Sequence, residues 1–202
     1  MAGNSKLIDQ YKNIHSEKTY GNTSVKNLRF IRPDIKLLAP KSAIDYGCGQ
    51  SPLLEELNLG YEIEKNRYDP AIPEYSTKPD HISDLLLNVD VLEHIEEEDL
   101  DTVLAEMRSL CKDALIIVDL KEAELLLEDG RNAHVTIKPV EWWEEKISKH
   151  FGKLERIKVA RSSRAGFKTW ARSPMETLIY YALRLKYSSV YYLYRLIGKK
   201  KY

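Results

Sequence analysis

The sequence predicts an α/β fold: a doubly wound, mostly parallel sheet that ends in a C-terminal antiparallel hairpin. Three observations carry that prediction. Strand-like runs recur near residues 43, 66, 85 and 115 with helix-like segments between them, the alternation that builds a parallel sheet with helices on its faces. The run Ala114-Leu115-Ile116-Ile117-Val118 is apolar without interruption, as a strand buried on both faces must be. A glycine turn, Gly47-Cys48-Gly49, separates the first run from a helical pattern opening at Pro52 and Leu53. Residues 1–40 read as a helical preface, 41–173 as the sheet domain and 174–202 as a helical tail.

With 202 residues, 43% of them hydrophobic, the chain can bury one good core. Bases and acids balance at 31 each, but unevenly along the chain. From Pro174 onward Arg184, Lys186, Arg195, Lys199, Lys200 and Lys201 face one acid, Glu176. The remaining body is therefore acidic, which argues against a nucleic-acid partner. Cys48 and Cys111 are far apart and lack ligand spacing, so neither a disulfide nor a metal site is assigned. The N-terminus has no apolar signal core, and no run reaches the ~20 apolar residues that cross a bilayer. The expected location is the cytoplasm.

In chain order, Leu7, Ile8 and Tyr11 have helical spacing, and a polar break from His15 to Thr23 follows. Ser24 is placed to cap a second helix bearing Val25, Leu28 and Ile31. Pro33-Asp34 then starts a third short piece through Ile35, Leu37 and Leu38. The first strand runs into Asp45-Tyr46-Gly47-Cys48-Gly49. Glycine there permits positive φ and close approach of the backbone to a ligand, which the N–H groups of the following helical turn would face. Pro52 stands where a dinucleotide fingerprint needs its third glycine. The second strand ends in Tyr68-Asp69-Pro70. An acid at that tip can accept from both hydroxyls of a ribose; an Asp-Pro turn without a ligand is the other reading.

With the acid before its glycines, the stretch Asp45-Tyr46-Gly47-Cys48-Gly49-Gln50-Ser51 resembles motif I of the class I S-adenosylmethionine-dependent methyltransferases, with Ser51 in place of the last glycine. The junction Asp90-Val91-Leu92-Glu93-His94-Ile95, between a buried strand and the helix bearing Leu100, Val103, Leu104 and Met107, is similar to the one this family carries before its fourth helix. The resemblance covers approximately Ser42 to Arg172 and implies a Rossmann-like fold. It also implies S-adenosylmethionine as cofactor, lying across Tyr46, Gly47, Cys48 and Gly49. Asp69 and Pro70 would sit at its ribose, Asp45 near its methionine end, and Asp90 and Val91 along the cleft. Tyr20 and Gly21, ahead of motif I, would close over it. His94 is either a catalytic group or a structural histidine at the helix start.

The polar loop Asp129-Gly130-Arg131-Asn132-Ala133-His134 and the following Lys138 and Trp142 fall at the carboxyl end of the sheet, where such folds place substrates. Arg131, Asn132, Lys138 and Trp142 suit an anionic or hydroxylated substrate. His134 can take a hydroxyl proton near neutral pH; a plain surface loop is the alternative. Two strand-like runs, 152–159 and 166–171, flank a turn at 162–165 and form the hairpin. The tail mixes six tyrosines with leucines and cations between Met175 and Ile197. It suits either a helix at a membrane interface, on the inner face, or a helical hairpin turning at Ser188-Ser189 and packing on the domain or on a second subunit. The activity implied is methyl transfer to a hydroxyl of a carbohydrate, such as a lipopolysaccharide-type surface glycan. The alternatives are a soluble small-molecule acceptor, or a binding module that keeps the fold without the chemistry.

Overall fold

A computed structural model describes residues 5–17 and 24–198. Tyr20 and Gly21 lie outside the described residues. Six strands form one sheet: β1 (Ser42–Tyr46), β2 (Glu64–Tyr68), β3 (Ser83–Val89), β4 (Cys111–Asp119), β5 (Glu155–Ile157) and β6 (Arg164–Lys168), in the order β2-β1-β3-β4-β6-β5. β1 pairs in parallel with β2 and β3, and β3 with β4. β6 runs antiparallel to β4 and β5. The expected sheet and its terminal hairpin are both present. From β1 the chain goes first to one side and then to the other, so the carboxyl end of β1 is the switch point of the sheet.

The helices are α1 (Ser5–Glu17), α2 (Leu28–Leu38), α3 (Leu53–Glu56), α4 (Leu100–Ser109), α5 (Val140–Phe151) and α6 (Pro174–Leu196). α4 and α5 cover one face, burying Leu104, Met107, Trp143 and Ile147 against Ile44, Leu86, Ile116 and Phe167. On the other face the crossovers are shorter than the sequence suggested. β1 and β2 are joined through a single helical turn, α3, and β2 and β3 through a 3-10 turn at Pro73–Tyr75. α2 supplies the missing cover: its Ile31 and Ile35 are fully buried, packed with Ala43, Leu85, Leu87 and Ile117.

α2 is one helix, not the two pieces expected around Pro33. Proline has no N–H, so the carbonyl one turn earlier, that of Arg29, loses its helical partner. The Arg184 guanidinium of α6 donates to that oxygen at 2.7 Å. α6 is likewise one continuous helix with no turn at Ser188-Ser189, started by a capping box between Ser173 and Glu176. It lies along α2 through stacked cations: Arg184 over Phe30 (4.2 Å), Arg29 over Tyr191 (4.0 Å) and Arg32 over Tyr187 (5.2 Å). The buried Asp34 carboxylate takes Arg172 at 2.6 Å and the buried Lys168 ammonium at 3.2 Å. Outward, α6 leaves Leu178, Tyr181, Leu185, Tyr192 and Leu196 exposed. No helix among the described residues is long and apolar enough to cross a membrane.

Arg184→Ala should cost about 1–3 kcal/mol in denaturant unfolding, because it orphans the Arg29 carbonyl. In a Pro33→Ala background the helix regains its own donor, and the same substitution should cost measurably less. Equal costs in both backgrounds would contradict this assignment.

Candidate functional site

The carboxyl end of β1 opens into a cavity of about 590 Å³. Its walls come from the glycine turn, Asp69–Ala71, Val89–Val91, His94, Asp119, Ala133, His134 and one side of α1. That volume lies in the range of small-molecule sites.

The glycine turn is held by the strand beside it. Gly47 and Cys48 both donate their N–H to the Tyr68 carbonyl, at 2.7 and 3.2 Å. Gly49 donates to Asp69 Oδ2 at 2.8 Å, and Ala71 donates to Asp69 Oδ1 at 2.8 Å. Arg67 fastens the far side, donating to the carbonyls of Gly49 (3.1 Å) and Ser51 (2.9 Å) and to the Tyr75 hydroxyl (2.7 Å). Ser51, standing where the motif has glycine, bonds Ser24 Oγ at 2.5 Å and accepts from the Leu53 N–H. The amides of the glycine turn itself, and that of Leu53 at the start of the helical turn, are therefore spent within the protein. Each Asp69 oxygen keeps a lone pair for a further donor. Gly47 has φ +75, and a Cβ there would come within 2.6 Å of Val91. A neighbouring side chain, rather than a ligand, fills the space this glycine leaves.

Asp45 and Tyr46 lie beneath the turn rather than in the cavity wall. Tyr46 points into the core, its hydroxyl donating to Glu106 at 2.7 Å. Asp45 is buried, its Oδ2 without a hydrogen-bond partner, and burial holds its pKa up to about 7 against the pull of the Arg67 charge. At the ends of β3 and β4, Asp90 (φ +59) and Asp119 both engage Arg164, at 2.8 and 3.1 Å.

His94 and His134 stack edge to face with centroids 4.8 Å apart. His94 Nδ1 meets the Ala133 carbonyl at 2.9 Å and the Tyr11 hydroxyl of α1 at 2.8 Å, while His134 Nδ1 meets the Lys121 carbonyl. A carbonyl oxygen carries no proton, so each Nδ1 is the N–H nitrogen and each neutral ring has its lone pair on Nε2. Next to them Glu93 is fully buried: Oε1 accepts from the Asp119 N–H at 2.9 Å, and Oε2 has no partner. Burial first, and then the Asp90 charge, raise the Glu93 carboxyl well above its ordinary range.

The other loop residues do not reach the cavity. Arg131 is held by Asp129 (3.0 Å) and Glu96 (2.6 Å), and Lys138 pairs with Glu97 (2.6 Å) beneath Trp142. Asn132 braces the loop, accepting from the N–H groups of Ala123 and His134 and donating to the Ala123 carbonyl. Tyr11, Arg67, Glu93, Asp119 and Arg164 are site residues to which sequence reasoning gave no role. Glu93 carries a legible signal, since it stands beside His94 in the six-residue junction.

No family model matches the sequence, and no curated protein resembles it in sequence. Solved structures resemble it in fold. An O-methyltransferase family protein from Burkholderia thailandensis superposes with TM-score 0.55 at 11% identity, covering 71% of this chain and 55% of its own. The 1,6-didemethyltoxoflavin-N1-methyltransferase of the same organism, with S-adenosylhomocysteine bound, gives 0.51 at 13%, covering 81% and 84%. Human N-acetylserotonin methyltransferase, in complex with its cofactor, gives 0.50 at 16%, covering 81% and 55%. The chain spans about half the length of several of these structures. It has the class I S-adenosylmethionine-dependent methyltransferase fold.

Because Asp45 is protonated natively up to about pH 7 while an unfolded Asp titrates near ~4, its contribution to stability is full below pH ~4 and gone above the folded value. Stability of the ligand-free chain should fall between about pH 4 and 7, and Asp45→Asn should flatten part of that slope. Superimposable pH profiles of the two proteins would contradict the assignment.

Proposed function

We propose that this chain is an S-adenosylmethionine-dependent methyltransferase acting on a hydroxylated acceptor. The observation that carries the reading is Asp69, clasped to the glycine turn at the switch point with one lone pair left on each oxygen, as two vicinal ribose hydroxyls require. The chemistry of the turn agrees. With its amides bonded to Tyr68 and Asp69 it is a poor cradle for phosphate, whereas carboxylates at Asp69, Asp90 and Asp119 suit a ligand bearing a sulfonium and an ammonium.

When bound, the cofactor supplies an activated methyl group, which an acceptor oxygen takes as the S–CH₃ bond breaks. The chain's part is to align the two and exclude water. Val89, Val91 and Ile95, with Leu7 and Ile14 of α1, give the cavity apolar walls. The Nε2 atoms of His94 and His134 offer sites for the proton the acceptor loses. The acceptor reading is broader than a glycan, because Arg131, Asn132, Lys138 and Trp142 are engaged outside the cavity. Carbohydrate and small-molecule acceptors both fit it. Methyl transfer assayed on cell-envelope glycans and on soluble metabolite pools separates them.

Calorimetric titration should show saturable binding of S-adenosylmethionine and S-adenosylhomocysteine, weakened ~10–100-fold by Asp69→Asn through loss of charge-assisted hydrogen bonds. Binding of neither would sink the enzyme reading. Binding without turnover on any acceptor pool would favour a binding module. The apolar outer stripe of α6, with Lys186 and Arg195 exposed beside it, supports placing the tail on an anionic membrane surface. The full chain should then co-sediment with anionic vesicles and lose that property when residues 174–202 are removed; unchanged sedimentation would reject it.

A further inference from the structure

Glu93, His94 and His134 each present one ligating atom, and these atoms lie within 4.8 Å of one another. The arrangement has features that a chance meeting of polar side chains lacks. Glu93 is fully buried with Oε1 fixed by the Asp119 N–H, while Oε2 has no partner. Both imidazoles are oriented by backbone carbonyls at Nδ1, those of Ala133 and Lys121. This outer hydrogen bond is how proteins fix the tautomer and direction of metal-binding histidines. The brace is itself built in: Asn132 pins the loop that carries both Ala133 and His134. Two imidazoles, each held at Nδ1 by a backbone carbonyl, and a buried carboxyl group thus come together at one place.

We infer that Glu93, His94 and His134 bind a divalent first-row transition-metal ion, with His94 and His134 ligating through Nε2 and Glu93 through Oε2. Two imidazoles and one carboxylate favour zinc, iron, cobalt or manganese over magnesium, which prefers oxygen ligands alone. Bonds of ~2.1 Å to three such ligands need donor spacings near ~3.4 Å, within reach of small side-chain rotations from those observed. Three protein ligands leave positions open, and His94 and His134 both face the cavity. An ion held there would present those positions to an acceptor hydroxyl and lower its pKa. That last role rests on the methyl-transfer reading, whereas the ion site does not.

The test uses the full chain and Co²⁺, whose visible absorption reports nitrogen and oxygen ligation. One equivalent should bind saturably, and Zn²⁺ should displace it while a comparable concentration of Mg²⁺ does not. His134→Ala, on the exposed side of the pair, should weaken binding at least ~10-fold. Glu93→Gln, which keeps the side chain's shape, should do the same. The absence of saturable Co²⁺ binding, or binding unchanged in His134→Ala, would overturn the inference. Cofactor titrations on the same samples keep the two claims apart: a chain that binds the ion and not the cofactor upholds this site and sinks the methyl-transfer reading.

Discussion

The site depends on one clasp, in which the turn after β1 gives its N–H groups to the end of β2. Gly47 and Cys48 bond the Tyr68 carbonyl, and Gly49 bonds the Asp69 carboxylate. In a sheet of this kind a long helix after the turn would normally hold it in place. Here α3 is a single turn, so the restraint comes from the neighbouring strand, with Arg67 closing it from outside. One set of bonds therefore does two things. It fixes the backbone at the switch point, and it aims the Asp69 carboxylate into the cavity. It also uses up the donors that a phosphate would need, so the chemistry of the ligand follows from how the turn is supported.

The same economy appears on the outer face. Short crossovers leave part of the sheet uncovered, and α2 fills the gap from the N-terminal side. Pro33 makes that helix incomplete at the Arg29 carbonyl, and Arg184 of α6 completes it. The preface and the tail, which look like appendages in the sequence, meet each other over the sheet. The buried Asp34 ties both to β6 through Arg172 and Lys168, so the outer layer and the sheet share one ion-pair network.

Much of this was legible in the sequence because it is local. Apolar runs marked the strands β1, β3 and β4, spacing marked α4, and the acid-flanked glycines with Asp69 twenty residues on marked β2 and the cofactor side. What was not legible depends on pairs distant in the chain. Nothing near Arg67 says that it will hold Ser51, and nothing near Arg164 says that it will bridge Asp90 and Asp119. The polar loop misled for a related reason. Arg131 and Lys138 look available to a substrate, but acids at 96, 97 and 129 take them. Asn132 is spent as scaffold, and His134 alone of that group reaches the cavity. Pro33 misled in the other direction: its cost to the helix is met by a guanidinium 151 residues later in the chain.

The central claim is that the clasped turn and Asp69 hold the nucleoside of a sulfonium cofactor. A crystal structure of the chain soaked with S-adenosylhomocysteine tests it most directly. The account predicts the adenosine across Gly47–Gly49 with both ribose hydroxyls on the Asp69 carboxylate and the amino-acid end toward Asp45. A ligand seated elsewhere, or a ribose that leaves Asp69 uncontacted, would contradict it.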